Sequence, residues 1–318
     1  MNITVVGCGR WGSFIAWYLD KINHKVTLYG RESSARMNEL IKRRDNGLVA
    51  LSERIELTVS LSTIIKSDAI VISIDSQNLP ILMSQLKQYN IQNKIIVLCM
   101  KGLEANTGKR LSQIASDTID STNRIAVWLG PGHVQEFYKG IPNCMVIDST
   151  EIEVKSKLVD AFSSDLIRFY YGQDLIGNEI GAASKNVIGI AAGMLDGLHL
   201  STLKGALMSR GTREIARIIS AMGGNELSAY GLCHLGDYEA TVFSEFSHNR
   251  KFGESFIRNE NYSELAEGCY AVKALVVLGR EYNVELPICN AIYDVLYHRK
   301  DAKSTLNALF TRSLKNEF

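Results

Sequence analysis

The sequence predicts an α/β protein, with an amino-terminal half built on a parallel β-sheet and an all-helical carboxy-terminal half. Three observations carry this reading. The chain opens on a β-branched run that stops at a glycine-rich turn and passes into a helical pattern, NITVVGCGRWGSFIAWYLDKI. Continuous apolar runs of strand length recur as far as about residue 149. Past residue 172 the strand signal fades, and apolar residues recur at helical spacing instead. At 318 residues the chain exceeds the usual single core. Two domains are expected, 1–172 and 173–318.

The first element, NITVVG, ends at Gly7. SFIAWYLDKI follows with helical periodicity, and HKVTLYG returns as a second strand, so GxGxxG sits between a strand and a helix. That context gives each glycine a task. Gly7 permits the tight turn, Gly9 lets backbone N–H groups approach a pyrophosphate, and Gly12 lets the helix pack closely on the strand. The helix N-terminus then faces the anion. This is a Rossmann-type dinucleotide site, which makes NAD or NADP the expected cofactor. The second strand ends in LYGRESS. Arg31 suits the 2′-phosphate of NADPH, whereas Glu32 can turn onto the ribose of NADH; the leaning is to NADPH.

DAIVISI (68–74), KIIVLCM (94–100), RIAVWLG (124–130) and NCMVIDS (143–149) read as further strands covered on both faces. In open parallel sheets ligands bind beyond the carboxyl ends of the strands. Lys101, in MKG, and the glycine turn LGPG at 129–132 both fall at such ends.

The long helical candidate QDLIGNEIGAASKNVIGIAAGMLDGL carries glycines at 177, 181, 189 and 193, with Lys185 as the missing member of that four-residue series. Residues four apart share a helix face. Each interior glycine costs about 1 kcal/mol relative to alanine, roughly 4 kcal/mol for the set, so something must offset the loss. A bare face admits a second backbone or a ligand. In one arrangement Lys185 is a desolvated ammonium whose pKa falls into the working range of a proton donor. In the other the stripe is a helix–helix contact and Lys185 snorkels to water. LKGALMSRGTREIARIISAMGG (203–224) predicts a second amphipathic helix. The stretch 231–253 reads as irregular, and helices follow at about 263–283 and 288–298.

The composition is ordinary for a globular protein, with 46% hydrophobic and 22% charged residues. A net charge of +1 excludes a global field that would draw the protein to nucleic acid or a membrane surface. The opening MNITVVGCG lacks the features of a signal peptide. The six cysteines are dispersed and read as reduced thiols in a cytoplasmic protein. The six histidines form no HxxxH or HxH pair, so no metal site is expected.

GCGRWGSFIA, MKGLE, LGPGHVQEF, IGAASKNVIGIAAGMLDG, SRGTREIARI, GLCHLGDYEAT, SHNRKFG and AEG stand in the order seen in NAD(P)-dependent glycerol-3-phosphate dehydrogenases, and the chain resembles that family over nearly its whole length. The resemblance implies reduction of dihydroxyacetone phosphate to sn-glycerol 3-phosphate with NADH or NADPH, a role in phospholipid precursor synthesis, and a cytoplasmic homodimer. It implies that Lys185 is the general acid/base, with Lys101, Asp237 and Thr241 in the catalytic set. Substrate contacts would come from Lys101, Gly130, Gly132, Ser247, His248 and Asn249. Cofactor contacts would come from Gly7, Gly9, Arg10, Trp11, Gly12, Arg31, Lys101, Val134, His248 and Glu267. Three departures stand out. His248 replaces the family arginine, and an imidazole cannot make the planar two-pronged contact of a guanidinium with phosphate. Gly132 and Val134 replace a serine and an alanine, and Cys233 and His234 occupy the turn before Asp237. These departures leave an alternative, a related dehydrogenase acting on another small ketone or hydroxy acid.

Overall fold

The computed structural model describes residues 1–311. The chain divides into two compact units. The first comprises Met1–Lys101 and Arg110–Glu179; the second comprises Gly102–Lys109 and the chain from Ile180 onward.

The first unit alternates strands and helices: β1 (Asn2–Val6), α1 (Arg10–Lys21), β2 (Lys25–Tyr29), α2 (Ala35–Arg43), β3 (Glu56–Thr58), β4 (Ala69–Ile72), α3 (Leu79–Lys87), β5 (Ile95–Leu98), α4 (Leu111–Thr118), β6 (Arg124–Leu129), α5 (Val134–Tyr138), β7 (Asn143–Asp148), α6 (Ile152–Phe162) and β8 (Ile167–Tyr171). One eight-stranded sheet runs in the order β3-β2-β1-β4-β5-β6-β7-β8. The first six strands are parallel and have the doubly wound order, which reverses between β1 and β4. All four residues of β4 and of β5 are buried, as continuous apolar runs require when helices cover both faces.

One pair departs from the expected parallel sheet, because β7 runs antiparallel to β6. The connection between them holds only one short helix, the five residues of α5. β8 then pairs parallel with β7 at the sheet edge. Its alternating IRFYY, half exposed, carries no continuous apolar run.

The second unit is helical: α7 (Leu175–Gly197), which starts in the first unit, α8 (Lys204–Ala221), α9 (His248–Ile257), α10 (Glu267–Glu281), α11 (Pro287–Tyr297) and α12 (Ala302–Phe310). The stretch expected to be irregular as far as 253 instead becomes helix at His248. Ser247 makes the start, since its hydroxyl accepts the Arg250 N–H as an N-cap. Between α8 and α9 the chain makes short 3-10 turns and a single π turn at Glu239–Phe243. Gly102–Lys109 packs on α10 through Gly108, beside Leu278, and through Asn106, which accepts from Lys273. No helix among the described residues is long and apolar enough to cross a membrane.

Candidate active site

The dinucleotide loop lies at the point where the strand order reverses. Gly7 has φ +115°, and a Cβ there would lie 2.1 Å from the Ser73 carbonyl, just beyond β4. A Cβ on Gly12 would lie 1.8 Å from the Gly7 carbonyl, so helix and turn pack without room for a methyl group. Gly9 differs. Its missing Cβ would meet only the Arg36 guanidinium, at 3.8 Å. Gly9 is the N-cap of α1, with no side-chain cap and no acidic residue in the first turn. A helix start without a side-chain cap fits the pyrophosphate of a dinucleotide.

Arg10 opens α1. Trp11 leans on Phe14 and Phe137, with ring centroids 5.1 and 6.1 Å away. Arg31 is exposed just past β2, and Arg36 is exposed in the first turn of α2. Val134 is buried in the apolar core, so its side chain is taken up by packing.

Lys101 follows β5, and its Nζ donates to the Gly130 carbonyl beyond β6 at 2.5 Å. Gly132 has φ +136°, and a Cβ there would fall 2.2 Å from the Phe137 ring. Glycine in place of a serine therefore has a local cause, the left-handed backbone and the aromatic ring against it.

In the second unit the glycine stripe of α7 resolves into protein–protein packing around one polar group. Cβ atoms on Gly181, Gly189 and Gly193 would meet His234, Thr241 and the Arg250 carbonyl, at 3.0, 2.7 and 1.9 Å. Gly253 on α9 faces back, its Cβ position 2.1 Å from the Ile190 carbonyl. The stripe is thus a close crossing of α7 with α9 and the turns before it. Lys185 does not snorkel out. It is 8% exposed, with Nζ 2.8 Å from Thr241 Oγ1 and 2.9 Å from Asp237 Oδ2. Burial comes with a carboxylate counter-ion, so Lys185 is buried as one half of an ion pair. Asp237 is 1% exposed, and its backbone carbonyl accepts the Thr241 hydroxyl at 2.7 Å.

Past this cluster α9 places three of the expected residues. Ser247 caps it. His248 Nδ1 meets the Tyr262 hydroxyl at 2.7 Å. Asn249 donates to Asn186 Oδ1 at 3.0 Å and accepts the Gly268 N–H at 2.9 Å, which ties α7 to the start of α10. Glu267 is the first residue of α10. Arg250, next to this block, is held by Asp196 at 2.7 Å, and Lys204 reaches the same carboxylate oxygen.

Several side chains around these sites were not singled out from sequence. Asn186 follows Lys185 directly, and the tandem KN is the signal that pointed towards it. Arg36 lies five residues past Arg31. Two buried glutamates cap distant helices. Glu179 accepts the Ser112 N–H, the Ser112 hydroxyl and Arg110 at the start of α4, and Glu214 accepts the N–H groups of Ile288 and Cys289 at the start of α11. Burial raises the Glu214 pKa, which these bonds partly oppose.

A doubly wound sheet with an open glycine loop, on a chain that also buries a lysine–aspartate–threonine cluster, defines a dinucleotide-dependent oxidoreductase. The models of the NAD-dependent glycerol-3-phosphate dehydrogenase N-terminus and C-terminus match residues 2–155 and 174–307. Glycerol-3-phosphate dehydrogenase (NAD(P)+) of Pelodictyon phaeoclathratiforme is 33% identical over 331 residues, covering 100% of this chain and 99% of that protein. The enzyme of the same name from Fusobacterium nucleatum is 34% identical over 330 residues, covering 100% and 98%. The crystal structure of glycerol-3-phosphate dehydrogenase from Coxiella burnetii superimposes with a TM-score of 0.92 at 25% identity, over 98% of this chain and 99% of that one. The chain belongs to the NAD-dependent glycerol-3-phosphate dehydrogenase family.

Proposed function

We propose that the chain catalyses reversible reduction of dihydroxyacetone phosphate to sn-glycerol 3-phosphate with NADPH or NADH, supplying a phospholipid precursor. The observation that carries this reading is the buried Lys185 amine, held by Asp237 and Thr241. Residues 1–172 serve the dinucleotide and residues 173–318 the chemistry. A bound reduced nicotinamide supplies the hydride. As hydride reaches the ketone carbon, negative charge grows on the carbonyl oxygen. Lys185 stabilises that charge and gives the oxygen its proton, the kind of electrostatic help that is often the largest catalytic contribution. Asp237 and Thr241 fix the direction of the amine. Lys101 orients the substrate. Ser247, His248 and Asn249 meet its phosphate at the start of α9, with Gly130 and Gly132 in the substrate loop.

Arg31 and Arg36 favour NADPH over NADH. Arg36 lies beside Gly9, and a guanidinium matches a phosphate better than it matches a ribose hydroxyl. A cytoplasmic homodimer belongs to the same reading, and light scattering on the purified protein tests the dimer.

The deciding assay is steady-state turnover of dihydroxyacetone phosphate with each reduced nicotinamide. Oxidation of NADPH at a lower KM than NADH is expected. Absence of turnover with both cofactors, alongside turnover of an unphosphorylated ketone or hydroxy acid, overturns the substrate assignment.

A further inference from the structure

Three residues before Asp237, His234 is wholly buried. Its Nδ1 lies 2.9 Å from the Gly181 carbonyl and 3.2 Å from the Ser184 hydroxyl, and its Nε2 lies 2.7 Å from the Tyr238 hydroxyl. A carbonyl only accepts, so Nδ1 carries the ring proton and Nε2 accepts from Tyr238. This fixes both the tautomer and the orientation of the ring. Gly181 makes room, since a Cβ there would stand 3.0 Å from the His234 Cβ.

The two ends of the ring grip different elements. Nδ1 holds the turn of α7 that ends at Ser184, immediately before Lys185. Nε2 holds Tyr238, immediately after Asp237. On the second element the backbone fixes the partners locally, because the His234 carbonyl accepts the Asp237 N–H at 3.0 Å and the Tyr238 carbonyl accepts the Thr241 N–H at 3.0 Å. The lysine on one element and its two partners on the other therefore meet through a joint that His234 closes.

We propose that His234 is a positioning residue that sets the Lys185–Asp237–Thr241 geometry for proton transfer, touching neither substrate nor cofactor. The proposal rests on the reading of Lys185 as proton donor. Small displacements of a catalytic group are expensive, about 100-fold in rate for about 1 Å. Loss of the imidazole removes the link between Gly181 and Tyr238, leaving the Gly181 carbonyl to the Ser184 hydroxyl and the Tyr238 hydroxyl to Thr212. The joint therefore acts on turnover more than on substrate affinity.

The test uses His234→Ala and the milder Tyr238→Phe, which removes one hydroxyl and keeps the ring. Two readouts are taken on the full chain. The first is kcat and KM for dihydroxyacetone phosphate across pH. The second is reductive methylation of Lys185, followed by mass spectrometry, with the Lys94 rate as internal reference. The expected result is a fall in kcat of about tenfold or more with KM within twofold, a displaced pH profile of kcat, and methylation of Lys185 several-fold faster relative to Lys94. If His234→Ala does not fold, Tyr238→Phe decides. Unchanged kcat, pH profile and labelling in a folded variant overturn the proposal, as does a parallel decline of kcat, KM and stability with no displacement of the pH profile. If the wild-type protein reduces no ketone, the functional reading fails on that control, and the labelling ratio still decides whether His234 holds the amine.

Discussion

The two units use glycine in opposite ways. In the first, the Ser73 carbonyl fills the space at Gly7 and the Gly7 carbonyl that at Gly12, while at Gly9 only the Arg36 guanidinium comes near. In the second, the space beside Gly193 is taken by the backbone of α9, and Lys185 is the one long side chain on that face. The same residue type thus leaves room beside the backbone in one place and closes a helix crossing in the other. A glycine pattern alone does not tell these apart. What separates them is whether another segment of the chain occupies the missing Cβ.

Substitution sharpens that contrast most at Gly193. Gly193→Ala drives a methyl group to within 1.9 Å of the Arg250 carbonyl and should cost on the order of 3 kcal/mol or more in urea unfolding. Gly9→Ala, where the Cβ would meet only a guanidinium at 3.8 Å, should leave stability within about 0.5 kcal/mol. Its effect should fall on NADPH affinity, measured by fluorescence titration, as a loss of about tenfold or more. Equal destabilisation by both would break the comparison.

Acid probes the second unit next. Burial lowers the His234 pKa from 6.5 to about 4, against the raising effects of the Gly181 bond and Asp237; Lys185 lowers it further. The folded state therefore keeps this ring neutral while the unfolded chain takes up a proton. Stability tied to His234 is present above pH 6.5 and is lost as pH falls towards 4, by on the order of 3 kcal/mol. Urea unfolding at pH 7 and pH 4.5 should show a smaller acid loss in His234→Gln than in the wild type. An identical loss in both would mean that the ring is not buried neutral.

The smallest effect belongs to the first unit. Arg36→Ala should weaken NADPH by about tenfold and NADH by less than twofold in equilibrium titrations, as expected for one charge-assisted contact of about 1.5 kcal/mol. Equal weakening of both would place Arg36 away from the 2′-phosphate.

Much of this was legible before any coordinates. The strands β1, β4, β5, β6 and β7 announce themselves as apolar runs, and the glycine loop is legible because it stands between β1 and α1, with β2 returning after the helix. Lys185 emerges because helical spacing puts it in line with four glycines. β8 was not legible, since an edge strand alternates and resembles a loop. The antiparallel direction of β7 was not legible either, since an apolar run reads the same in both directions. The polar joints were hidden for a different reason. Glu179 meets Ser112 across 67 positions, and His234 meets Gly181 across 53, so no local window contains both partners. Arg250 meets Asp196 across 54 positions in the same way.

The central claim is that the buried amine of Lys185 delivers the proton while the glycine loop separately holds the dinucleotide. Lys185→Ala tests it, with NADPH titration and ketone reduction measured on the same preparation. The account predicts a cofactor Kd within about twofold of wild type and a kcat lower by about 100- to 10,000-fold, the range typical of a general acid. Turnover near the wild-type rate in that variant would contradict it.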